Sequence, residues 1–294
     1  NIPIVGMSKA AGISFAAPVT SSLRLFAGAG HSKEALQYWP GMKNTSQSLS
    51  RRQFIGSTTA FGALASAGAG CATTDLQPSS EEKAKRIKLG ISSYSYWHFR
   101  DPKVSIETVI DKTAQIGVEG VDILHRQMDS EDNGYLQKLK RHAFKNGVDL
   151  ICLSIHQDFV DPDPEVRNRN IEHTKKCIEL AYRMGIPSIR LNSGRWGTVK
   201  SFDKLMELRG KEPILPGYTL DDGFNWCIDS IEKCLPKAAD CGVMLALENH
   251  WGLTRTPEGL LRIVNAIDSP WLGLLMDTGN FLEDRDNQIK NLAP

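Results

Sequence analysis

The sequence predicts an α/β protein, a (β/α)8 (TIM) barrel that is incomplete, with about six of the eight βα units present. Three observations carry this. A short pattern recurs along the chain, in which a helix end, a glycine and an apolar strand follow one another. Each strand then gives way to polar and aromatic residues, and barrels gather their site groups at the C-terminal ends of strands. A doubly wound sheet would instead place a glycine-rich phosphate turn after the first strand. That stretch reads Ser92-Ser93-Tyr94-Ser95-Tyr96-Trp97-His98-Phe99, with no G-x-G-x-x-G.

The recurring pattern sits at Gly117-Val118, Gly147-Val148, Gly185-Ile186 and Gly242-Val243. At each, a glycine able to turn left-handed ends a helix and a strand begins. The strands predicted are about 87–93, 119–124, 148–155, 187–192, 243–248 and 272–276. Ser105 caps a helix whose apolar face is Ile106, Val109, Ile110 and Ile116. Asp221 or Asp222 starts the helix that carries Trp226, Ile228 and Ile231. Thr256-Pro257-Glu258 supplies a cap, a proline in the first turn and an acid facing the helix dipole. Leu260, Leu261, Val264 and Ile267 follow at helical spacing.

The chain has 294 residues, 41% apolar and 23% charged, which excludes a largely disordered chain and a polytopic membrane protein. Residues 1–87 hold 9 Lys/Arg and 4 Asp/Glu, while residues 88–294 hold 26 and 30. An acidic body lacks the basic footprint of a duplex nucleic-acid binder, so no nucleic-acid partner is expected. The six cysteines form no C-x-x-C pair. Cys227, Cys234 and Cys241 lie seven residues apart on one predicted helix, hence roughly 10 Å apart at 1.5 Å per residue and too distant to bridge. The cysteines after Cys71 are expected to be free and packed.

The twin arginine Arg51-Arg52, followed by a Gly/Ala-rich stretch ending at Cys71, resembles a twin-arginine (Tat) signal peptide. It implies export to the periplasm, and Cys71 after Gly68-Ala69-Gly70 resembles a lipoprotein cleavage site that would carry a lipid anchor. Met42 opens a stretch with the length and charge of such a signal's first region. The expected organisation is residues 1–41 as a disordered upstream extension, 42–71 as the signal, 72–86 as a linker and 87–294 as the truncated barrel.

The strand ends carry the chemistry. They bring Tyr94, Trp97 and His98; Asp122 and His125; His156, Gln157 and Asp158; Arg190 and Asn192; Glu248, Asn249, His250 and Trp251; and Asp277 and Asn280. Glu248 and Asp277 end neighbouring strands and can share a cation. Two carboxylates with imidazole nearby suit Mn²⁺, Mg²⁺, Co²⁺ or Zn²⁺. Without a cation they repel, and one tends to protonate. Arg190 lies between Ile189 and Leu191 on a buried strand, so it needs a partner, a carboxylate or a substrate oxyanion. Trp97, Trp196 and Trp251 can stack on a sugar face or simply fill the mouth. His142 and His173 read as surface residues of outer helices.

Leu-Ala-Leu-Glu248-Asn249-His250, followed about thirty residues later by Met276-Asp277-Thr278-Gly279-Asn280, resembles the sugar phosphate isomerase/epimerase group of the xylose isomerase-like TIM barrels. The likeness covers roughly residues 87–294. It implies a divalent metal on Glu248 and Asp277, a catalytic role for Glu248 and His156, and His250 facing substrate. Arg190, Asn280, Trp97 and His125 are the further candidates for substrate contact. In that group the remaining metal ligands are a His and a Glu on the seventh and eighth strands, which this chain does not reach. Asn280 stands where the related endonuclease IV has a metal-binding His, which disfavours a nuclease.

The expected activity is a metal-dependent isomerase or epimerase of a small carbohydrate, moving a proton beside a chelated carbonyl. For want of the eighth-strand Glu, the chain as it stands is expected to be nearly inactive. The alternatives are a lyase or hydrolase of keto-sugars or keto-glycosides, and a non-catalytic carbohydrate-binding lipoprotein.

Overall fold

The computed structural model describes residues 4–8, 13–17 and 87–292. Eight strands close a barrel in chain order: β1 (Ile4–Ser8), β2 (Ile13–Ala17), β3 (Lys88–Ser92), β4 (Gly120–Leu124), β5 (Asp149–Ser154), β6 (Ser188–Leu191), β7 (Met244–Glu248) and β8 (Leu272–Asp277). β3 to β8 run parallel, each paired with the next. These six strands match the six predicted, within two residues at each end. β1 and β2 form an antiparallel hairpin, with β2 antiparallel to β3 and β1 parallel to β8.

The sequence reading set residues 1–41 aside as a disordered extension, yet ten of them are strand. An open parallel sheet leaves a row of unpaired backbone groups along β3 and β8. The hairpin pairs both edges. The rest of that segment, the twin-arginine signal 42–71 with Cys71 and the linker 72–86 lie outside the described residues.

The helices are α1 (Ile106–Ile116), α2 (Asn133–Asn146), α3 (Pro164–Met184), α4 (Phe202–Glu207), α5 (Leu220–Cys241), α6 (Pro257–Ala266) and α7 (Arg285–Leu292). The glycine rhythm is their stop signal: α1, α2, α3 and α5 each end on a left-handed glycine, at φ 74° for Gly117 and 63° for Gly242. A side chain there would cost about 1–2 kcal/mol.

Ser105 and Thr256 cap α1 and α6 through backbone amides, as predicted. α5 starts two or three residues earlier than its acids suggested. Thr219 is the cap, and Asp222 closes a capping box by accepting the Thr219 amide. In α1 the last inward position belongs to Thr113, whose hydroxyl donates to the Val109 carbonyl. Ile116 is left 58% exposed.

Along β3–β8 one face packs under the helices with Ile91, Ile123, Leu153, Ile189, Leu247 and Leu274, all buried. Burying each such side chain stabilises the fold by about 1.5–3 kcal/mol. The five described cysteines are free, and all but Cys241 are buried. The register puts the alternate residues on the inner face. They are small at the N-terminal end (Gly90, Gly120, Ala246, Gly273) and polar toward the C-terminal end (Ser92, Asp122, Ser154, Arg190, Glu248). Among the described residues no helix is long and apolar enough to cross a membrane.

Candidate active site

Three charged side chains meet inside the barrel, each more than nine-tenths buried: Asp122, Arg190 and Glu248. Asp122 accepts from the hydroxyls of Ser92 (2.7 Å) and Ser154 (2.8 Å) on the flanking strands. Arg190 donates from Nη1 to Glu248 Oε2 (3.1 Å) and from Nη2 to the Ile155 carbonyl (2.8 Å). The partner Arg190 requires is therefore a carboxylate two strand positions along on β7. Burial raises the Asp122 pKa, and the Glu248 charge adds to that. The two serine hydrogen bonds and Arg190 oppose it.

Above this group lies a cavity of about 550 Å³ at the C-terminal mouth. Glu248, Arg190, His156 and His250 all line it, so four of the predicted site residues share one space. The wall also includes Gln157, Asn192, Tyr94, Phe99, Phe202 and Trp251.

Several polar atoms on this wall are buried and have no hydrogen-bond partner among the described residues: Glu248 Oε1, His156 Nδ1, Gln157 Oε1, Asn192 Oδ1 and Arg190 Nε. Folds rarely leave such atoms unpaired, because each costs about 1–3 kcal/mol. Their convergence on one cavity marks a place for a ligand rich in hydrogen-bonding groups.

His156 is held neutral. Burial drives its pKa down to about 3, helped by the charges of Arg190 and Arg126. Asp158, at the same mouth, is pushed up to about 6 by burial. Its Oδ1 accepts from the amides of Val160 (2.9 Å) and Arg195 (3.2 Å). This works only because residue 194 is glycine: at φ 90°, a Cβ there would lie 2.0 Å from Asp158 Oδ1.

Asp277 is buried on β8. The pairing of Glu248 with Leu275 puts it on the same face as Glu248, its Cα about 8 Å away by strand spacing and rise. Its Oδ1 accepts from the Gly279 amide (2.8 Å), an Asx turn. Asn249 ties the two strand ends together. It donates to the Asp277 carbonyl (2.8 Å) and accepts from the Asp277 amide (2.6 Å). Asn280 is buried and donates to the Asn249 carbonyl (2.9 Å), bracing the loop away from the cavity wall.

A cation needs donor oxygens that are not already committed. Glu248 Oε1 meets that condition. The Asp277 carboxylate lies on the adjoining strand, and His250 Nε2 is 3.9 Å from Glu248 Oε2. Among the described residues these three do not form a group whose donor atoms already lie within 4.8 Å of one another, though carboxylates with one imidazole are the donor chemistry of a hard or borderline divalent ion.

Four predicted site residues are not on this wall: Asp277, Asn280, Trp97 and His125. Trp97 is half-buried against Phe99, with ring centroids 5.0 Å apart. His125 sits in a 3-10 turn after β4, bonded to Glu131 (2.8 Å) and packed on His173 at 5.4 Å. His173, read from sequence as a surface residue, is half-buried in that contact.

Gln157 and Asn192, named in the sequence among the strand-end residues but not singled out as contacts, are on the wall, as is Phe99, which the sequence reading did not single out. Phe202, from α4, carries no strand-end signal.

A model of the xylose isomerase-like TIM barrel family matches residues 110–293, more than half of the chain. Solved structures share the fold at low identity. A D-tagatose 3-epimerase-like protein aligns with a TM-score of 0.54 at 19% identity, over 69% of this chain and 70% of its own. D-psicose 3-epimerase of Clostridium cellulolyticum H10, solved with D-tagatose, gives 0.54 at 19%, over 69% and 68%. A 3-keto-D-glucoside 4-epimerase of E. coli gives 0.51 at 17%, over 64% and 69%. With its parallel strands, its polar mouth and this match together, the chain belongs to the xylose isomerase-like TIM barrel family.

Proposed function

We propose that the protein is a sugar isomerase or epimerase that moves a proton beside the carbonyl of a small carbohydrate, with Glu248 as the base. One observation carries this reading: Glu248 is fully buried on the cavity wall, one oxygen fixed by Arg190 and the other unpartnered among the described residues. The sugar epimerases among the structural neighbours support the same class.

The roles follow from the geometry. The Glu248 carboxylate takes the proton from the carbon next to the carbonyl. Arg190 holds Oε2, so the carboxylate cannot swing away, and its positive charge faces the developing enolate. Neutral His156 offers a hydrogen bond to a hydroxyl or carbonyl oxygen without adding charge. Gln157 and Asn192 serve the remaining hydroxyls. Phe99, Phe202 and Trp251 give the sugar's C–H face an apolar surface. Asp158, with its pKa near neutrality, is suited to return a proton. A divalent cation on Glu248 and Asp277 would polarise the carbonyl and make the neighbouring proton more acidic. Export through the segment 42–71 would bring the site to keto-glycosides and free ketoses outside the cytoplasm.

The test is proton exchange in D2O, followed by NMR on ketohexoses and 3-keto-glucosides with Mn²⁺ added. Abstraction alone needs only one base, so deuterium should enter the carbon beside the carbonyl. Glu248→Gln should slow this by about 10²–10⁴-fold. Sugar binding without exchange, undiminished in Glu248→Ala, would make the protein a carbohydrate-binding module instead. Cleavage of the keto-glycoside without an epimeric product would make it a lyase or hydrolase.

A further inference from the structure

We propose that His125, His173 and Cys177 form a Zn²⁺ site between the turn after β4 and helix α3, separate from the cavity. A ring nitrogen of each histidine and Sγ of Cys177 lie within 4.8 Å of one another. His173 Nε2 is already 3.7 Å from Cys177 Sγ. In a tetrahedral zinc site, neighbouring N and S ligand atoms lie about 3.3–3.6 Å apart. The cluster therefore needs to close by about an ångström, which side-chain rotation supplies.

Two elements build it. His173 and Cys177 are four residues apart, so α3 presents them one above the other on a single face. His125 arrives from a different part of the chain and stacks against His173. Glu131 stands beside them, its Oε1 2.8 Å from His125 Nε2 and its other oxygen paired with Lys176. A carboxylate on a metal-bound imidazole is the usual outer partner that fixes the ring, and it can also serve as a fourth ligand. Cys177 is fully buried, and burial, with the Glu131 charge, pushes its thiol up to about 12. Unliganded it is an inert thiol, whereas a soft cation would draw out the thiolate and release its proton.

The donor set is nitrogen and sulfur, which selects Zn²⁺ over Mg²⁺ or Mn²⁺. The cavity mouth is oxygen-rich and holds no cysteine among its described residues. The chain would thus carry two cation sites of different hardness, and sulfur ligation tells them apart.

The experiment is a Co²⁺ titration of the full chain after metal removal, followed by Zn²⁺ competition. Cobalt bound to a thiolate gives a near-ultraviolet charge-transfer band that oxygen and imidazole ligands do not. The band should appear in wild type and in Glu248→Gln, vanish in Cys177→Ser, and be displaced by Zn²⁺. Glu131→Gln should weaken binding by about 10- to 100-fold. His173→Gln, at a half-buried position, should weaken it at least as much and guards against misfolding of the buried cysteine variant. A wild-type chain without the band, a band surviving in Cys177→Ser, or one lost in Glu248→Gln would each overturn the proposal.

Discussion

The buried pair Arg190–Glu248 allows stability and catalysis to be separated. At 3.1 Å and an effective dielectric constant of about 20, its attraction is about 5 kcal/mol. Desolvating two ions offsets most of that, so the pair adds little net stability. Breaking it leaves an uncompensated buried charge, at a cost of about 3–5 kcal/mol. The two single substitutions should differ, because Asp122 is a third member of the group. In Glu248→Leu, Arg190 keeps the field of Asp122, and the loss should be near the lower figure. In Arg190→Met, Asp122 and Glu248 are left without their cation, and one must take up a proton. That loss should be near the upper figure. It should also shrink on acidification: the proton-bound carboxyl has a folded-state pKa above its unfolded value, so its stabilisation is complete at low pH and lost as pH rises through the folded pKa.

The double variant Glu248→Leu/Arg190→Met removes both charges. It should recover at least about 3 kcal/mol relative to the sum of the single losses. It should still show no deuterium exchange. Urea unfolding followed by tryptophan fluorescence measures all four proteins, at pH 5.5 and 7.5. Single losses below about 1 kcal/mol, or strict additivity, would refute the view that these residues form one buried unit.

Three further outcomes follow from the mouth. Asn249→Ala removes both side-chain bonds that join β7 to the Asp277 backbone. It should cost about 2–3 kcal/mol in urea unfolding and lower the affinity for Mn²⁺ measured by calorimetry. Gly194→Ala places a methyl against Asp158 Oδ1 at a left-handed position. It should destabilise by at least about 1–3 kcal/mol, with sugar affinity falling alongside. His156 is depressed from 6.5 to about 3, so the unfolded chain takes up its proton first on acidification. Its stabilisation is therefore present above pH 6.5 and is lost as pH falls toward about 3. Asp158, raised from 3.8 to about 6, works the other way, gaining stability on acidification over that window. The difference between wild type and His156→Gln isolates the histidine: wild type should lose more stability between pH 7 and pH 5.

Much of this was legible because it is local. Helix stops at Gly117, Gly147, Gly185 and Gly242 are written in a conformation that one residue type tolerates easily. Strands were found because each is an apolar run between such stops and a polar end. The N-terminal hairpin was not found, because its role is to pair two edges that lie far away in sequence. No local pattern in residues 4–17 declares a partner at β3 or β8. Capping of α5 was misplaced for a related reason. Asp221 and Asp222 are both good starting acids, and only the reciprocal bonds between Thr219 and Asp222 show that neither is the cap and that Thr219 is.

The site shows the same boundary between period and orientation. Strand parity says that Arg190 is inward-facing and needs a partner, but only the register of β6 on β7 brings Glu248 to it, so the sequence left a carboxylate and a substrate oxyanion both open. His156 and His125 both follow strand ends, yet they finish in different surroundings. After β5 the chain runs on without a helical turn and delivers His156 to the cavity wall. After β4 it coils into a 3-10 turn, which carries the next side chain away from the barrel axis to meet α3. Asn280 departs for a third reason, since the Asx turn at Asp277 folds the loop back and spends its amide on Asn249. The composition of a strand end therefore says that a site is near. The backbone of the next three residues decides which side chains enter it, and those turned away are free to build something else, as His125 does with His173 and Cys177.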